Sequence, residues 1–142
     1  MSSQLVAHLM NATPADVPSL LADDVRFRSP FAEYEGRDTI ARLFAVMPAV
    51  FDELALVREL HGDDREVATV LRGRIGDETV DVIVDERYAI DGRVSEAMLV
   101  TRPLAGTKAA IRRMRPCWRP RRAQQWSRRT VPWGPCDASR FP

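Results

Sequence analysis

The stretch from Thr79 to Thr101, TVDVIVDERYAIDGRVSEAMLVT, constrains the chain more than any other, because it reads as two long strands joined at Asp91-Gly92. Val80, Val82, Val84, Tyr88 and Ile90 share one parity, and Asp81, Ile83, Asp85, Arg87 and Ala89 share the other. That period of two marks a β-hairpin with unlike faces. One face is apolar. The other carries a carboxylate, Asp85, in mid-strand between Ile83 and Arg87, and chemistry is expected to pass through that face.

Such a hairpin needs a sheet around it. Gln4 to Met10 is apolar at helical spacing, and Thr13-Pro14 with Asp16 forms an N-cap and first turn for a second helix over 14–22. Val25 to Arg28 alternates as a short strand ending at Ser29-Pro30, and Phe31 to Gly36 reads as a loop holding Tyr34. Asp38 caps an amphipathic helix over 39–51, which Pro48 kinks or shortens. Leu54 to His61 and Val67 to Ile75 are further strands. The turn at Gly76-Asp77-Glu78 would set Arg74 opposite Asp81. Leu104 to Met114 reads as a last helix. Early helices followed by long strands imply an α+β domain with a curved antiparallel sheet around N-terminal helices.

Length and composition bound this reading. A chain of 142 residues fits one domain, and such a domain buries roughly two-thirds of its unfolded surface. The net charge of +1 hides a division: residues 1–111 hold 12 Lys/Arg against 19 Asp/Glu, and residues 112–142 hold 9 against 1. Both cysteines, Cys117 and Cys136, and all three tryptophans lie in that last part. A thiol nucleophile, a disulfide framework and a Cys-ligated metal are therefore excluded from the main body. Two histidines without an acid at ligand spacing make no metal site, and no cofactor is expected. With no long apolar run and no basic start before an apolar core, neither a membrane span nor a secretory signal is expected, and the default location is the cytoplasm. The domain is taken as residues 1–114. Residues 115–142, rich in Arg, Pro and Trp, are expected to be a disordered tail. Translation out of frame in a GC-rich gene would give that composition, and nucleic-acid binding by the tail is the lesser alternative.

LLADDVRFRSPF (20–31), EGRDTIARLF (35–44) and VDERYAIDGRVSEAMLV (84–100) followed by TRPL resemble the nuclear-transport-factor-two-like superfamily in its SnoaL-like branch, over about residues 4–114. The resemblance implies a cone-shaped α+β barrel with a cavity at its wide end, and homodimers through the outer sheet face. Its members include ketosteroid isomerases, polyketide cyclases and epoxide hydrolases. The resemblance puts Asp85 where isomerases keep a protonated acid and where epoxide hydrolases keep one carboxylate. The isomerase base position falls at Ser29 and the isomerase tyrosine near Leu5. The hydrolase arginine falls at Ile83 and its second carboxylate at Leu99, so both sets are incomplete.

Two registers are open to the hairpin. A two-residue turn sets Asp85 opposite Met98 and Arg87 opposite Glu96. A three-residue loop with a Gly92 bulge sets Asp85 opposite Ala97. The resemblance favours the second, which turns Asp85, Ala97 and Leu99 inward. Asp85 is then the candidate catalytic residue, a carboxyl in an apolar cavity where desolvation favours the neutral acid. His8, Phe27, Tyr34, Phe44, Ile83, Asp85, Arg87, Ala97 and Leu99 are the candidate ligand contacts, and the chemistry of His8 would suit a base. The expected function is binding of a hydrophobic small molecule, with isomerisation, cyclisation or hydrolysis open. The alternative is a non-catalytic interaction module whose cavity is filled by its own side chains.

Overall fold

The computed structural model of the chain describes residues 2–11 and 16–117. The expected Thr13-Pro14 cap and nearly all of the Arg/Pro/Trp-rich tail lie outside the described residues.

Helix α1 (Gln4–Asn11) and the short α2 (Val17–Leu20) lead into strand β1 (Leu21–Arg28). β2 (Glu33–Glu35), α3 (Arg37–Val46), β3 (Glu53–His61), β4 (Glu66–Ile75), β5 (Glu78–Tyr88), β6 (Val94–Arg102) and α4 (Leu104–Met114) follow. The strands form one curved, unclosed sheet in the order β2-β1-β6-β5-β4-β3. Every pairing is antiparallel except β1 with β6, which is parallel. The α+β reading thus holds, with one parallel pair where an all-antiparallel sheet was expected.

The helices cover one face of the sheet, where the core lies. Ile40, Ala41, Leu43 and Phe44 of α3 are buried, and so are Leu5, Val6 and Leu9 of α1. Each fully buried large aliphatic side chain contributes roughly 1.5–3 kcal/mol. Proline 48 ends α3 as expected, and Met47–Val50 continue as a single tight 310 turn. Helix α4 seats on β5 through Gly106, where a Cβ atom would come within 2.2 Å of Val80 Cγ1.

Local departures from expectation have local causes. Residues 33–35, expected in a loop, pair with β1 as β2, Tyr34 opposite Phe27. The tight turn at Gly76 and Asp77 sets Ile75 against Glu78, so Arg72, not Arg74, faces Asp81. Arg74 instead bonds Glu53.

Candidate functional site

The hairpin decides which side chains enter the core. Its loop spans three residues: Ala89 N–H donates to Arg93 O at 2.8 Å, and Gly92 takes a φ of 83° that other residues rarely adopt. The loop therefore has the expected length. Strand β6 then inserts Ser95 as a bulge, because Tyr88 pairs with Val94 while Arg87 pairs with Glu96. The bulge shifts the register back by one. Asp85 consequently stands opposite Met98 and Glu86 opposite Ala97.

That shift overturns the expectation that Asp85 turns inward. Asp85 is exposed on the outer face of the sheet, together with Ile83 and Arg87, so none of the three borders the core. Arg87 is ion-paired with Glu66. The inward residues of β5 are Val80, Val82, Val84, Glu86 and Tyr88, none more than 1% exposed. The remaining candidates, His8, Phe27, Tyr34, Phe44, Ala97 and Leu99, are all buried on the helix side. Phe44 meets the Phe27 ring edge-on at a centroid distance of 5.1 Å, and Tyr34 stacks near Phe27 at 6.2 Å.

Glu86 is the buried acid. Its carboxyl ties the start of α1 to the sheet: Leu5 N–H donates to Oε1 at 2.9 Å, and the Tyr88 hydroxyl donates to Oε2 at 2.7 Å. Gln4 N–H donates in turn to the Tyr88 oxygen at 3.1 Å, while Ser3 Oγ accepts from Val6 N–H at 3.1 Å. The first N–H groups of a helix lack intrahelical acceptors, and Glu86, Tyr88 and Ser3 supply them here. Burial pushes the Glu86 carboxyl above the usual glutamate range, opposed by the bonds from Tyr88, Ser3 and Leu5, with the Glu59 charge adding to the rise. Burial likewise raises the Tyr88 hydroxyl.

The sequence carried a signal for this acid. Between Val80 and Tyr88, Glu86 is the one charged residue on the parity of Val80, Val82, Val84 and Tyr88. Glu59 and Thr69 were also missed: they face each other across β3 and β4, next to the pair Val67–Glu86. Glu59 lies 3.0 Å from His61 Nε2.

Other candidate groups serve the fold. Ser29 Oγ accepts from Phe31 N–H and Ala32 N–H, both at 3.2 Å, and so shapes the loop before β2. A hollow of about 320 Å3 beside β1 and β2 and one of about 260 Å3 beside Asp85 are lined mainly by arginines and acids, a poor match for an apolar ligand. Among the described residues no group of three or more His, Cys, Asp or Glu could hold a metal ion, and no helix is long and apolar enough to cross a membrane.

No curated protein matches the chain. Among solved structures it is similar to a steroid delta-isomerase from Pseudomonas aeruginosa, at 28% identity over 77% of this chain and 82% of that one, with a TM-score of 0.73. It also resembles an uncharacterized protein with a cystatin-like fold from Silicibacter pomeroyi, at 22% identity over 79% and 83% of the two chains, TM-score 0.70. A de novo designed protein with a curved β-sheet shares the fold at 15% identity, over 81% and 98% of the two chains and with a TM-score of 0.61. The SnoaL-like domain profile matches residues 3–97, which together with the curved sheet and the helices on its inner face makes this chain a member of the SnoaL-like family.

Proposed function

We propose that the chain binds an apolar small molecule between the inner face of the sheet and helices α1 and α3, with Glu86 and Tyr88 as its polar contact. The observation that carries this reading is a carboxyl 1% exposed, raised by burial and bonded to a buried tyrosine hydroxyl. A carboxyl raised by burial can donate as a neutral acid while keeping acceptor capacity beyond its two bonds. The likeness to a steroid delta-isomerase supports a flat, apolar ligand. Glu86 takes the place first given to Asp85.

Binding is favoured over catalysis because, among the described residues, those at the positions where the resemblance sets the isomerase base and the hydrolase partners cannot take those parts. Ser29 is used by its loop, Ile83 faces outward, and Leu99 is a hydrocarbon. Thermal-shift screening with steroid-like, polyketide-like and epoxide compounds tests this, comparing the native protein with Glu86→Gln. Ligand shifts that shrink in the variant are expected. Equal shifts in both proteins would remove Glu86 from the site.

The outer sheet face supports a homodimer. Val70, Ile83 and Val100 form an apolar row across β4, β5 and β6, Ile83 at 40% and Val100 at 43% exposure. The row is flanked by the Arg72–Asp81–Arg102 cluster on one side and the Glu66–Arg87 pair on the other. Mixed charge around an apolar strip suits a second copy of the same face. Sedimentation should give a dimer that Ile83→Lys converts to monomer; a native monomer at micromolar concentration would end this part of the proposal. The same face favours the second reading, an interaction module, if ligand screens find no binder.

A further inference from the structure

Two buried polar atoms on the helix side of the sheet have no hydrogen-bond partner among the described residues: Nδ1 of His8 and Oγ1 of Thr69. The residues are 6% and 0% exposed. Buried polar atoms are nearly always paired, so each such atom calls for a partner. The Thr69 hydroxyl can donate or accept and does not discriminate. His8 does. Its Nε2 lies 2.8 Å from Phe44 O, and a carbonyl oxygen only accepts, so Nε2 carries the proton. In the neutral ring Nδ1 is then a fixed acceptor.

The position of His8 gives that acceptor a context. His8 stands three residues after Leu5, whose amide meets Glu86, and residues at that spacing share a helix face. One turn of helix is about 5 Å. The His8 ring therefore stands on the side of α1 that meets Glu86 and Phe44, where the reading above sets its ligand.

Resting on the ligand-binding reading above, we infer that His8 Nδ1 accepts a hydrogen bond from a hydroxyl group on the ligand. The occupant is then an apolar alcohol or phenol, and a hydrocarbon, ether or ketone of the same shape is discriminated against. A site built around a polar bond rejects an analogue that leaves its buried group unpaired.

The test uses the full chain and three probes of one shape: 2-naphthol, 2-methoxynaphthalene and naphthalene. Calorimetry should show 2-naphthol binding about 10-fold or more tightly than the other two. With 15N-labelled histidine, the His8 Nδ1 resonance should move with 2-naphthol and stay in place with the ether. His8→Phe, which keeps an aromatic ring without the nitrogen, should abolish the preference. Because that variant can fail to fold, the resonance on the unaltered protein decides. Equal binding of the three probes, or a resonance indifferent to 2-naphthol, means that a buried water alone meets Nδ1; that overturns this inference and leaves ligand binding standing. If none of the probes binds, both readings fall.

Discussion

Glu86 and Asp85 are consecutive carboxylates on one strand with opposite surroundings. Glu86 is 1% exposed and bonded to a helix terminus and a tyrosine, whereas Asp85 stands exposed on the outer face with no ion pair among the described residues. The contrast teaches that on a sheet the environment belongs to the parity and not to the residue type. The inserted residue Ser95 sets which partners these two acids meet, aligning the buried Ala97 and Leu99 of β6 with Glu86 and Val84 in place of Asp85 and Ile83.

The largest way to break the comparison is to truncate both acids. Glu86→Ala leaves Leu5 N–H and the Tyr88 hydroxyl without their acceptor in the core and should cost roughly 3 kcal/mol in urea unfolding. Asp85→Ala should change stability by no more than about 0.5 kcal/mol. Similar losses in the two variants would contradict the assignment of faces.

Next in size is Gly106→Ala, which drives a methyl group into Val80 on the same inner surface. Overpacking of this kind costs about 1–3 kcal/mol, and a lower urea midpoint with an unchanged slope would register it. An unchanged midpoint would show that α4 is not held against β5 as described.

The pH dependence sharpens the contrast further. A glutamate raised in the folded state binds more protons there than in the unfolded chain, so its contribution to stability falls as pH rises from the ordinary value of 4.5 through the raised one. Glu86→Gln should flatten that part of the curve, measured by thermal unfolding above pH 4.5. Asp52 behaves oppositely: its bonds to Arg113 and to Gly76 N–H hold it at about 2, so its contribution is present above 3.8 and lost as pH falls toward 2. The two windows do not overlap. A slope above pH 4.5 that survives in Glu86→Gln would assign it to another group.

The smallest expected effect lies on the outer face. Asp81 bonds Arg72 at 3.1 Å and Arg102 at 2.9 Å, and these cations lower its carboxyl. Exposed pairs contribute little and are screened by salt. Asp81→Asn should therefore match the native midpoint in 1 M salt, and a loss that persisted there would mean that this face is buried in a dimer.

Much of the fold was legible in the sequence. The periods of 2 and 3.6 located α1, α3, α4 and the four later strands, and Pro48 marked the end of α3. The three residues of β2 were too few to show a period. The extension of β1 back to Leu21, and its parallel pairing with β6, depend on contacts far along the chain. The inward acid of β5 was legible in type and misplaced by one residue. An inward acid was expected on β5, but a slip of one position exchanges every side chain between faces. The Ser95 bulge leaves no compositional mark, whereas an acid set between Val84 and Tyr88 on the valine parity did point to Glu86.

The bonds that seat α1 span 81 and 84 residues of chain, from Leu5 to Glu86 and from Gln4 to Tyr88. Closing so long a loop costs chain entropy before any contact compensates it. The first helix in the sequence is thus among the last pieces to lock during folding. Leu5→Ala should speed unfolding and leave the refolding rate nearly unchanged; slowed refolding would place α1 in the nucleus instead.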